Sequence, residues 1–213
     1  MVNETEEKPK DNTPEFNFWD KIKYLFSSPK TFFELLVNET GISNALVMFI
    51  IIEVFLGLFS MFSKPEFISG SFSLVFLGLG GEIFAIIVQV GILFAAVGIS
   101  QLVAKHFNKE ANYSKTFQIL VYSSVPPSLF LLVPILLSGT LFSIEAVYHP
   151  IILSAVILIP AFIYYTFLAV IGLTQTYNLS NGKAVVVVFT PVVVLGIPAL
   201  FILLFLFSLA AFS

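Results

Sequence analysis

Cysteine and arginine are both absent from this 213-residue chain, and tryptophan occurs once. Without cysteine there is no disulfide framework, no thiol nucleophile and no thiolate metal site, so cysteine redox chemistry is excluded. Charge is also scarce. Charged residues make up 11% of the chain, under half of the roughly 25% usual in soluble domains. Beyond Glu110 the only formally charged side chains are Lys115, Glu145 and Lys183. Histidine is limited to His106 and His149, which fall on opposite sides of the predicted membrane, so neither a metal-binding pair nor a histidine-based triad is supported.

What the chain has in abundance is apolar length. Hydrophobic residues reach 58%, with 25 phenylalanines. A spanning helix needs about 20 mostly apolar residues, and the uncharged stretches Thr116 to Ile144 and Ala184 to Ser213 both exceed that. Only helices or closed barrels satisfy every backbone group in hydrocarbon, and these runs lack the short alternating pattern of barrel strands. The expected fold class is an all-α polytopic membrane protein. Its five expected spans are Ser43 to Phe62, Ile83 to Ala104, Phe117 to Leu137, Ile151 to Thr174 and Ala184 to Phe212. The Gly-rich stretch Phe67 to Gly81, with Gly70, Gly78, Gly80 and Gly81, reads as a candidate re-entrant or interfacial hairpin.

Lysine placement orients this bundle. Lys8, Lys10, Lys21, Lys23 and Lys30 precede the first span, Lys105, Lys109 and Lys115 lie in the second loop and Lys183 in the fourth, while the other side has Lys64. This positive-inside bias predicts a cytoplasmic N-terminus and, after five crossings, an outer C-terminus. Residues 1–17 carry Glu4, Glu6, Glu7, Asp11 and Glu15 and read as a disordered acidic cytoplasmic tail. They lack the apolar region of a cleavable signal, so the first span is expected to direct insertion.

Residues 18–42 read as interfacial amphipathic helices. Phe18, Ile22, Leu25 and Phe26 recur at helical spacing, with Asp20, Lys21 and Lys23 on other faces. Ser28 then offers an N-cap and Pro29 suits the first position of a second short helix carrying Phe32, Phe33 and Leu36. Both helices are expected on the cytoplasmic leaflet, as depth-setting anchors or as a partner-binding module. The five-helix transmembrane domain then occupies 43–213.

Few side chains are left for chemistry. Glu53 sits near the middle of the first span, where desolvation without a counter-ion favours a protonated carboxyl that donates a hydrogen bond. Gln89, a few ångströms nearer the outer face on the second span, is its expected partner, and Glu82 is expected at the outer interface. Glu53 and Gln89 therefore form the candidate intramembrane polar site, read either as a proton or cation site or as a strut between helices. Pro126, Pro127, Pro134, Pro160, Pro191 and Pro198 predict kinks whose freed carbonyls Ser or Thr could satisfy. Gly91 and Ala95 form a small-xxx-small pair, extended by Gly98, that would let another helix approach closely. No catalytic constellation, cofactor motif, metal cluster or nucleic-acid patch emerges, and none of these is expected. The N-x-S/T sequons at Asn3, Asn38, Asn112 and Asn178 all fall on the predicted cytoplasmic side, where glycosylation does not occur.

Three segments carry a resemblance. These are Leu25-Phe26-Ser27-Ser28-Pro29-Lys30-Thr31-Phe32-Phe33, then Val121-Tyr122-Ser123-Ser124-Val125-Pro126, then Gly172-Leu173 followed by Leu179-Ser180-Asn181-Gly182-Lys183-Ala184. In order and spacing the chain, from about Phe18 onwards, resembles the prokaryotic branch of the Yip1 domain family. That resemblance implies a prokaryotic cell (inner) membrane and five spans with a cytoplasmic N-terminus, which the lysines indicate independently. Eukaryotic members are associated with Rab GTPases and carry an Asp-Leu-x-Gly-Pro signature before the first span. Asn38-Glu39-Thr40-Gly41-Ile42 stands there instead, so Rab binding is not carried over. The expected function is a non-catalytic multi-pass protein that organises lipid or membrane-protein partners, a second copy of itself included. The competing reading is a small transporter or channel subunit using Glu53 and Gln89.

Overall fold

A computed structural model describes residues 17–62, 72–132 and 149–211. Among these residues there are seven helices and no strand: α1 (Phe18–Ser27), α2 (Pro29–Leu36), α3 (Ser43–Phe62), α4 (Phe72–Phe107), α5 (Tyr113–Phe130), α6 (His149–Tyr177) and α7 (Asn181–Ala211). Four of them contain stretches long and apolar enough to cross a membrane, namely Ser43–Met61, Gly78–Phe107, Val156–Tyr177 and Asn181–Ile202.

The expected third span behaves differently. Pro134 and the end of the expected run at Leu137 lie outside the described residues. The described helix α5 is the most enclosed in the molecule, with Thr116, Phe117, Gln118, Ile119, Leu120, Val121, Tyr122, Ser123, Val125, Pro126 and Pro127 buried. It packs against α1, α3, α4 and α6. The structure therefore supports a polytopic helical protein with four apolar candidate spans among the described residues, and does not show the expected five. Physically, the run from Thr116 lacks charge, but its first half sets Thr116, Gln118, Tyr122, Ser123 and Ser124 among its apolar residues. A helix wrapped by other helices satisfies such groups inside the protein and has no need of the hydropathy that lipid contact demands.

The Gly-rich stretch is also corrected over its described part. From Phe72 onward it is continuous with α4, so Gly78, Gly80 and Gly81 lie inside one 36-residue helix instead of a hairpin. Phe67 to Gly70 lies outside the described residues. Helical continuity follows from backbone groups that must be paired at membrane depth, whatever the local propensity.

The largest departure concerns α1 and α2. Each forms as the sequence suggests. The Asn17 side chain caps α1 by accepting the Asp20 N–H at 2.9 Å, and Pro29 opens α2. Ser28 occupies the N-cap position of α2, but its hydroxyl makes no capping bond. Much of their apolar surface is turned into the protein. Leu25, Phe32, Phe33 and Leu36 are buried in the same core as Ile119, Tyr122, Leu168 and Leu173. The pair forms a hairpin standing against α5 and α6.

One close approach fixes that hairpin. A Cβ at Gly172 of α6 would lie 2.5 Å from Ile119 Cγ2 and 3.0 Å from Phe33 Cε1, so a hydrogen at this position lets three helices meet. On the far side of the bundle α4 packs along α7. There Pro191 deprives the Val187 carbonyl of its helical donor, and the buried Ser100 hydroxyl of α4 donates to that carbonyl at 3.1 Å.

Candidate functional site

Two polar constellations stand out in an apolar bundle. The first joins α1, the loop before α3 and the middle of α5. Lys21 donates to both carboxylate oxygens of Glu39 at 2.9 Å and to the Tyr122 hydroxyl at 2.8 Å. The Tyr122 hydroxyl in turn donates to Glu39 Oε1 at 2.9 Å. The Lys21 and Glu39 side chains are only 12% and 17% exposed, so each charge is largely removed from water and depends on the other. The Lys21 ammonium lies 5.1 Å from the centre of the Tyr122 ring, whose other flank meets Phe32 edge to face at 5.3 Å.

The loop carrying Glu39 is held by its backbone as well. Lys115 donates to the carbonyl of Leu36 at 2.9 Å and to that of Glu39. The buried Gln118 amide donates to the carbonyls of Glu39, at 3.3 Å, and Gly41. Gly41 adopts φ of +78°, a left-handed conformation that a side chain would strain. Burial lowers the pKa of Lys115 below the ordinary lysine range, and the Glu39 carboxylate partly opposes that shift. Together these contacts clamp α1, α2 and the start of α3 onto α5.

This cluster was missed as a site from sequence, although a signal existed. Lys115, Gln118 and Tyr122 stand at i, i+3 and i+7, one polar stripe on one face of α5. The spacing shows a stripe, but not that residues about 80 to 100 positions away supply its partners.

The second constellation is the predicted one. Glu53 and Gln89 line a single cavity of about 210 Å³ between α3 and α4, together with Gly57, Ser60, Glu82 and Leu131 of the segment following α5. Glu82, expected to remain at the outer interface, lines the same cavity. Its Oε2 lies 3.4 Å from where a Cβ at Gly57 would stand, so glycine at one helical turn from Glu53 admits the second carboxylate. The arrangement combines two carboxyl groups, an amide and a hydroxyl with apolar walls.

The remaining candidates are dispersed. Pro126 and Pro127 are buried in α5, and Pro191 and Pro198 lie within α7. Gly91 and Ala95 are exposed on α4, and nothing lies within 4 Å of a Cβ built at Gly91 or Gly98. The close helix approach expected there is thus not made among the described residues. No group of three or more potential metal ligands occurs among the described residues.

A helical bundle with several candidate spans, its N-terminal hairpin folded into the core and its polar groups spent largely on helix-to-helix bonds, defines a multi-pass membrane protein. The chain belongs to the Yip1 domain family, whose model matches residues 23–204. The matched region includes α2, the Glu39 loop, Lys115, Gln118 and Tyr122, the cavity of Glu53 and Gln89 and all four apolar candidate spans, while Lys21 precedes it. No curated protein and no solved structure matches the chain.

Proposed function

We propose that this protein is a non-catalytic organiser of membrane lipid or protein partners, which presents them with the outward face of the α1–α2 hairpin. In this reading α5 completes a fifth crossing, the N-terminus lies in the cytoplasm and the C-terminus outside, and the membrane is the prokaryotic cell membrane. No Rab partner is included. The observation that carries the reading is the clamp itself: Lys21, Glu39 and Tyr122 are used up in holding the hairpin, while Trp19 is 74% exposed and Lys23, Lys30 and Glu34 point outward. A rigidly held, charged and aromatic face suits contact better than chemistry.

Deleting the hairpin would be a poor test, because Leu25, Phe32 and Phe33 belong to the core. Reversing the outward charges leaves that core intact. Crosslinking and co-purification of a tagged protein from its own membranes, wild type beside Lys23→Glu with Lys30→Glu, is expected to lose partners from the doubly substituted protein. An unchanged partner set would overturn the reading.

The cavity supports a second reading, a small transporter or channel subunit in which Glu53, Glu82 and Gln89 carry a proton or a cation. Glu53→Gln keeps the shape and removes the ionisable group. Lost proton or cation flux in reconstituted vesicles would favour this reading, and unchanged flux would dismiss it.

A further inference from the structure

We propose that the α1–α2 hairpin is re-entrant: it enters the bilayer from the lysine-rich side to about half depth, and its outward polar face draws the hydrated lipid headgroup layer inward beside it.

The depth follows from a ladder of contacts along α5. At the top, Lys115 meets the Leu36 carbonyl at 2.9 Å. Lower down, Phe33 sits in the gap between Ile119 and Gly172. Lower again, Phe32 meets Tyr122 with ring centres 5.3 Å apart. Near the turn of the hairpin, Phe26 meets Phe130 at 6.0 Å and Tyr164 at 6.4 Å. From Lys115 to Phe130 the axial rise is about 22 Å at 1.5 Å per residue.

The first span, α3, converts that ladder into membrane depth. Its register with α5 is fixed at both ends: Gln118 donates to the Gly41 carbonyl, and Leu131 shares a cavity with Glu53 and Leu56. Phe26, one helical turn at most from that lower point, therefore stands near the level of Glu53. Glu53 is about 15 Å below Ser43, half of a hydrocarbon core of about 30 Å.

At this depth α3 and the hairpin present opposite chemistry. Along α3, Val47, Ile51 and Phe55 are 55%, 49% and 44% exposed, as lipid contact requires. On the hairpin the exposed residues near that level are Lys23, Ser27, Lys30 and Thr31 around Phe26, which is 41% exposed, and Glu34 stands about a turn higher. Charged groups do not face acyl chains below the interface without water or headgroups to solvate them. Lysine stems reach outward over apolar surface and pull phosphates towards them, and the carboxylate is matched by the cationic part of a zwitterionic headgroup. Phospholipid headgroups with their water are the occupant that this mixture fits.

The absence of native cysteine makes single-cysteine spin labelling direct. Labels at Lys30→Cys, Ser27→Cys, Val47→Cys and Ile51→Cys in phosphatidylglycerol/phosphatidylethanolamine vesicles are read by collision with oxygen and with a water-soluble nickel chelate. The α3 labels should be oxygen-rich and nickel-poor, while the Lys30 and Ser27 labels at matching register should be several-fold more accessible to nickel. Each variant is first checked for wild-type thermal stability in detergent, with Thr31→Cys replacing a hairpin label that fails and Phe55→Cys an α3 label that fails. Nickel access at Val47 and Ile51 as well would mean that this end of the bundle stands clear of the membrane, overturning the proposal. Oxygen-rich, nickel-poor labels on the hairpin would overturn it too, since its outer face would then contact acyl chains. Both results are independent of whether any protein partner is found.

Discussion

The Tyr122 hydroxyl donates to Glu39 Oε1 at 2.9 Å across 83 positions of sequence. Tyr122 stands in the enclosed half of α5, and Glu39 in the short loop between α2 and α3. The Lys21 ammonium closes the triangle from α1. Three segments that are separate in the chain thus share one charge-assisted hydrogen-bond network. Its low exposure makes each member expensive to leave alone.

Removing one charge from this network should therefore cost more than removing a neutral hydroxyl. Glu39→Gln leaves the Lys21 ammonium without its counter-ion and is expected to destabilise the folded protein by about 2–3 kcal/mol, whereas Tyr122→Phe should cost about 1 kcal/mol. Because the residues share partners, the double variant should lose less than the sum of the two. Reversible denaturation in detergent micelles measures all three. Strict additivity would mean that the contacts do not act as a network.

Gly172→Ala tests the close approach of α2, α5 and α6. The new methyl would meet Ile119 and Phe33 inside normal contact distance, and overpacking of this kind costs about 1–3 kcal/mol. Lower thermal stability is expected, with partial recovery when Ile119→Leu is added, since leucine lacks the Cγ2 branch that the new methyl meets. A fully stable Gly172→Ala protein would contradict the observed packing.

Lys115 should impose a pH dependence. Burial disfavours its charged form in the folded state, so its pKa is lower there than in the unfolded chain. The unfolded state then binds more protons between the two values, and stability from this group rises with pH across that window. The full benefit is present above the ordinary lysine value of about 10.4 and is lost as pH falls through the lowered folded value. Stability measured from pH 8 to 11 for wild type and Lys115→Gln should therefore differ in slope, the wild type gaining more with rising pH. Parallel curves would refute the shift.

The course of α3 was fully legible, from Ser43 to Phe62, because a 20-residue uncharged run between polar segments has one low-energy solution in a bilayer. The remaining apolar helices were legible to within several residues at most ends, though α4 begins well before its expected start. Glu53 and Gln89, two polar groups on consecutive spans, line one cavity. That Glu82 lines the same cavity was not legible, because nothing in its own surroundings reveals the gap that Gly57 opens for it.

By itself, then, the sequence determined the class of the protein: low charge, long apolar runs and lysines massed on one side leave only a helical membrane bundle, since solvation by lipid acts on each segment separately. Tertiary structure decided what those segments do to one another. It packed the apolar faces of two amphipathic helices, which would fit equally well on a bilayer surface, against the core as a hairpin, because the Gly172 gap and the partners offered by Glu39, Lys115 and Tyr122 exist only when distant segments meet. It also made the most polar of the long uncharged runs the centre of the bundle, where hydrogen bonds from neighbouring helices do what water cannot do at that depth.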